Sequence, residues 1–178
     1  MKKIEEKKRI CKDWFKSLRD EICSELEKIE DDKKSFKKKS WFRDENNTNS
    51  LGGGEMSILR GKVFEKAGVN ISTVYGPLSK ELKGKIPGSV NSKNFWASGI
   101  SVVIHPYSPK IPAIHMNTRF IITEKSWFGG GTDITPSNLK SVGSKRIAKY
   151  FHEKLEDICE NYQKGSYIKF KKWCDDYF

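Results

Sequence analysis

Two runs that sort into an apolar and a largely polar set at period two limit what this chain can fold into: GISVVIH (Gly99–His105) and AIHMNTRF (Ala113–Phe120). Successive side chains on a strand point to opposite faces, so each run sorts its residues into two sets. Ile100, Val102 and Ile104 fall on one face of the first run, and Ser101, Val103 and His105 on the other. In the second run Ile114, Met116, Thr118 and Phe120 share a face, and His115, Asn117 and Arg119 the opposite one. Pro106 and Pro112 bracket the connection between them, which predicts an antiparallel pair. With both apolar faces turned to a core, Ser101, His105, His115, Asn117 and Arg119 meet in one polar patch.

That patch carries the chemical signal. A single histidine on a strand is usually a structural residue; two histidines beside Ser, Asn and Arg on one face argue for a site. Arginine offers a planar fork for a carboxylate or phosphate. Histidine titrates near neutral pH and serves as acid or base. Two histidines, joined by His152, could also hold a metal, although their spacing fits no closed zinc pattern. Close by, WFGGGTDITP predicts a glycine loop. Its N–H groups could form an anion-binding nest, or Asp133 could simply cap a turn, and the residues alone leave both open.

Elsewhere the pattern is helical at both ends. Cys11, Trp14, Phe15, Leu18, Ile22, Leu26 and Ile29 recur at spacings of three and four, which predicts an amphipathic helix over 4–30 with Glu5 able to pair with Arg9. The helix is expected to pack on its own domain rather than on a membrane, because ten acidic residues stand among its lysines through Asp32. A charged, solvated connector follows over 31–40, then a strand-like start at Trp41–Arg43 and an exposed polar loop, DENNTNS. Gly52–Gly54 lacks the Lys-Ser/Thr of a phosphate-binding P-loop and is expected to be a turn before a strand. Met56–Leu59 and Asn70–Tyr75 are expected strands, and 77–94 a loop. Ser144 is the expected N-cap of a helix over 145–162, with Ile147, Phe151, Leu155, Ile158 and Cys159 as its stripe. His152 sits at the edge of that stripe, and a further helical run begins near Tyr167.

The net charge is +11, mostly from lysine, and favours an anionic partner if it is more than a solvated surface. A nucleic-acid-binding module is not expected: no basic stripe is interleaved with aromatics, and no helix-turn-helix or zinc pattern appears. No apolar run reaches the ~18 residues of a spanning helix, and the N-terminus lacks the apolar core of a signal peptide. The four cysteines show no paired spacing, which points to a reduced, cytoplasmic protein.

GISVVIHP, IHMNTRF, WFGGGTDITP and KKWCDDYF, in this order and spacing, resemble the oxygen-dependent coproporphyrinogen III oxidases. WFRD, the LGGG run and VFEKAGVNIS are similar to the N-terminal half of the same family, so the resemblance covers about Trp41 to Phe178. It implies an α+β fold, a large mostly antiparallel β-sheet flanked by α-helices. It also implies oxidative decarboxylation of two propionates of coproporphyrinogen III to the vinyl groups of protoporphyrinogen IX in haem biosynthesis. O2 is the implied oxidant, no organic cofactor is used, and a divalent metal is attributed to some members; the implied assembly is a homodimer. By position, His115 matches a proton donor, Ser101, Asn117, Thr118 and Arg119 match substrate-binding residues, and His105, His115 and His152 match metal ligands. Residues 1–178 are expected to form a single domain, the N-terminal and central part of that fold, with 1–40 as a helical lead-in. Family members continue past KKWCDDYF, with a fourth histidine, an FFDDL-like segment and much of the dimer interface. The chain is therefore expected to be truncated, and the alternative to an active enzyme is a non-catalytic remnant that binds porphyrin or a partner.

Overall fold

The computed structural model describes residues 2–30, 34–44 and 50–177. Most of the expected DENNTNS loop (45–49) and part of the charged connector (31–33) lie outside the described residues, as does the terminal Phe178. The elements in chain order are α1 (Lys2–Glu30), β1 (Lys37–Phe42), β2 (Gly52–Leu59), β3 (Phe64–Pro77), a 3-10 turn (Lys80–Leu82), β4 (Asn94–Pro106), β5 (Ala113–Ile122), β6 (Ser126–Thr135), α2 (Val142–Tyr162) and α3 (Ser166–Tyr177). The six strands form one sheet in the order β1-β2-β3-β4-β5-β6, with every neighbouring pair antiparallel. The α+β class follows. The chain divides into two compact units, one of residues 1–108 and 113–135, the other of 109–112 and 136–178.

In the first unit α1 lies on one face of the sheet, against β3 and β4. Phe15, Cys23 and Leu26 of the helix join Leu59, Ala67, Val69, Ile100, Val102 and Ile104 in the core. Each fully buried Phe or Leu side chain contributes about 2 kcal/mol. The stripe that is buried runs Phe15, Arg19, Cys23, Leu26 and Glu30, whereas Trp14 and Ile29 of the expected stripe are half exposed. Polar partners on the sheet account for the shift. Arg19 donates to Glu55 and to Ser57 Oγ (3.2 Å) on β2, and its Nε bonds Asp20 at 2.8 Å. Lys38 of β1 closes the group on Asp20 at 2.9 Å; its ammonium, with the Arg19 guanidinium, holds that carboxyl below the usual range. Glu5 pairs with Lys8 at 2.7 Å and Arg9 with Asp13 at 3.5 Å, in place of the expected Glu5–Arg9 pair.

Glu30 ties the end of α1 to the β2–β3 hairpin. Its carboxylate accepts the backbone N–H groups of Lys62, Val63 and Phe64, the last at 3.0 Å. Burial alone would raise its pKa; the three N–H donors and Lys34 outweigh that and hold it below the usual carboxylate range. A Cβ at Gly61 would collide with this carboxylate, so glycine is required there.

Three local expectations are corrected. β1 begins at Lys37, inside the expected connector: its lysines are exposed on an edge strand, where charge discourages further strand pairing. Gly53–Gly54 and Gly129–Gly131 are extended strand that pairs residue for residue with neighbouring strands, while Gly52, at φ +83°, leads the chain from the turn at 50–51 into β2. In the second unit the N-cap of α2 is Ser141, not Ser144; Ser141 Oγ accepts the Ser144 N–H at 3.0 Å, satisfying a free helix donor. Ile158 of the expected stripe is exposed. Gly165, at φ +77°, breaks the chain between α2 and α3.

Candidate functional site

The face of the sheet opposite α1 is built in cross-strand rows. One row runs Asn70, Ser101, Asn117 and Gly131 across β3 to β6; the next runs Gly68, Val103, His115 and Asp133. On the other side of the first lies Gly54, Ser72, Gly99, Arg119 and Gly129. Directly opposed residues in an antiparallel pair share a face, so these side chains form one continuous surface. Ser101, His105, His115, Asn117 and Arg119 are thus brought together, and glycines provide a floor with little relief. A Cβ at Gly99 would press on Thr118 O and the Arg119 Cβ at 2.6 and 2.8 Å, so a side chain there would displace the arginine.

His115 is the most constrained polar group of the surface. Its Nδ1 lies 2.9 Å from Asp133 Oδ1 across β5–β6, and its ring meets His105 edge-on, with centroids 5.9 Å apart. The carboxylate engages Nδ1 and leaves Nε2 of the ring free of a partner on this strand pair. Arg119 is exposed and donates from Nη2 to Asn117 Oδ1 at 3.2 Å. Among the described residues no carboxylate pairs with it. Trp127, on the same face of β6, carries a buried Nε1 donor with no partner, the one such side-chain atom found among the described residues.

Thr118 is not on this surface. It opposes Ile100 and Gly130 and faces the α1 side, lining a hollow of about 300 Å³ with Met116, Phe128 and Thr132. His152 belongs to the second unit, where its exposed ring bonds the Tyr167 hydroxyl at 3.0 Å. Among the described residues no three His, Cys, Asp or Glu side chains are grouped closely enough to hold a metal ion. Asp133 at Nδ1 of His115 and Tyr167 at Nδ1 of His152 leave Nε2 of each ring open, the arrangement in which a histidine can still serve as a ligand.

Asn70 and Ser72 were not among the expected site residues, and Asp133 was expected beside the glycine run but not as the partner of His115. The glycine run hid the alternation of Trp127, Gly129, Gly131 and Asp133, which puts Asp133 on the histidine face. Asn70 and Ser72 needed the β3–β4 register, which alternation within one strand does not reveal.

A model of the coproporphyrinogen III oxidase family matches residues 10–178. The chain belongs to that family. It is 47% identical over 176 residues to the oxygen-dependent coproporphyrinogen-III oxidase of Rickettsia rickettsii (strain Sheila Smith), covering 97% of this chain and 62% of the relative. The protein of the same name from Rickettsia bellii (strain RML369-C) is 47% identical over 173 residues, covering 93% of this chain and 59% of the relative. This member of the family thus spans about three-fifths of the length of those relatives, and its sheet carries the histidine and arginine surface described above.

Proposed function

We propose that the surface around His115 and Arg119 is one wall of a coproporphyrinogen III site, in a protein that converts two propionates of that tetrapyrrole to vinyl groups at the expense of O2. The observation that carries this reading is the row structure: Ser101 and Asn117, His115 with Asp133, and Arg119 stand side by side on a glycine floor. A flat floor suits a tetrapyrrole, and an arginine without a carboxylate partner suits one of its four propionates. The partnerless Trp127 N–H adds a donor on the same side.

In each conversion a propionate loses CO2 together with two electrons and two protons, and O2 takes these up as H2O2. The substrate is the source of the electrons. The protein's part is to bind, orient and move protons. Arg119 and Asn117 hold a carboxylate, and Ser101 contributes a hydroxyl to the bound ligand. His115, oriented by Asp133, exchanges a proton at Nε2. No step is assigned to a metal or an organic cofactor. The same family reading makes the whole protein a cytoplasmic homodimer, and four unpaired cysteines agree with a reducing compartment.

The test is protoporphyrin fluorescence after coproporphyrinogen III is incubated with the protein in air. His115→Ala is expected to lower kcat by about 10²-fold, the ordinary contribution of a general acid or base. Arg119→Ala is expected to raise KM by about tenfold, the loss of one charge-assisted contact. Wild-type kinetics in both variants would contradict the assignment. The second reading is binding without turnover, and product formation by the 178-residue chain would exclude it.

A further inference from the structure

We infer that Lys66 is a second carboxylate-binding residue of the same surface, taking a propionate at the opposite end of the ligand from Arg119. The inference rests on the tetrapyrrole reading above. Lys66 opposes His105 across β3–β4, and the pairing register shifts between Phe64 and Lys66. Residues two apart on a regular strand share a face. Here Phe64 is buried in the core on the α1 side, while Lys66 is exposed and falls in step with Gly68 and Asn70 on the other side. The bulge separates them. Bulges of this kind recur beside binding sites, where they re-aim a side chain.

Charge and distance fit the same role. Among the described residues no carboxylate pairs with Lys66, and the one acid in the rows between it and Arg119 is Asp133, which is bonded to His115. The Lys66–His105 row and the Ser72–Gly99–Arg119 row are separated by about 20 Å along β3 at about 3.4 Å per residue. Both cations sit on long side chains that can reach inward. Their charged ends can therefore grip opposite rim carboxylates of one ligand, with Gly68, Ser101 and Gly99 beneath it. A lysine head supplies a point charge without the directional fork of arginine, which suits a flexible propionate arm.

The experiment is a titration of the 178-residue chain with coproporphyrin III, the stable oxidised tetracarboxylate, and with its uncharged tetramethyl ester. Lys66→Met is expected to weaken coproporphyrin binding by about tenfold, as for a charge-assisted contact. Lys66→Arg should restore it to within about threefold, and ester binding should not change. Lys80→Met removes the same charge from the exposed turn at Lys80–Leu82 and is expected to have little effect. If Lys66→Met behaves like Lys80→Met while Arg119→Ala loses affinity, the inference is wrong and the site reading stands. If coproporphyrin does not bind, or Arg119→Ala binds as wild type, both are overturned.

Discussion

At the scale of single residues, the candidate site depends as much on what is absent as on what is present. Gly99 is the clearest case, because a Cβ there would press on the Thr118 carbonyl oxygen and on the Arg119 Cβ. Gly99→Val is expected to push β5 away from β4 at Thr118 and Arg119, moving the arginine, while Ile100 and its neighbours on the other face stay packed on α1. Coproporphyrin affinity should fall by about tenfold or more with near-native circular dichroism, the loss of one charge-assisted contact. Unchanged affinity would mean that the arginine is not held as described. Ser101, His105, His115, Asn117 and Arg119 could be placed on one face from alternation alone. The partnership of His115 with Asp133 could not, because it depends on the register of a strand whose glycines carry no side-chain signal.

At the scale of elements, the strands that alternate cleanly, β4 and β5, were legible in the sequence. Those built from lysine or glycine were not. Lys37–Lys39 become strand because β2 offers a pairing edge, and Gly129–Gly131 because β5 does. Tertiary pairing here overrides weak intrinsic strand preference. The same holds for α1, whose buried Arg19 and Glu30 look like surface residues until their partners on the sheet are known. Glu30 makes this testable. Its carboxyl is held below its ordinary pKa in the folded protein, so folding favours the ionised form. That contribution is complete above the unfolded-state pKa and is lost as the pH falls through the folded one. Glu30→Gln is expected to cost about 2 kcal/mol at neutral pH, as for a buried charged hydrogen-bonded group. The gap to wild type in urea denaturation should narrow as the pH is taken below the usual glutamate range. A gap that widens in acid would contradict the role of the carboxylate.

At the scale of the whole molecule, the two faces of the sheet have separate tasks. One packs on α1 and holds the chain together, and the other carries the polar rows. Thiol labelling reports on the first. Cys23 is buried in the α1–sheet core, where burial pushes its thiol up to about 11, and Cys174 on α3 is exposed. In native buffer Cys174 should react with a maleimide at once, while Cys23 should react only after denaturation. Early labelling of Cys23 would show that α1 is not seated on the sheet.

On the proposed function, the tetrapyrrole lies on the face opposite α1. Coproporphyrin III exerts a strong ring current, so an NMR titration distinguishes the faces directly. The His105 and His115 ring signals and the Asn117 side-chain amide are expected to shift together with one saturable constant. The Ala67, Val69 and Val102 methyls beneath α1 should stay in place. Shifts of those buried methyls, with the two histidines and Asn117 unmoved, would contradict it.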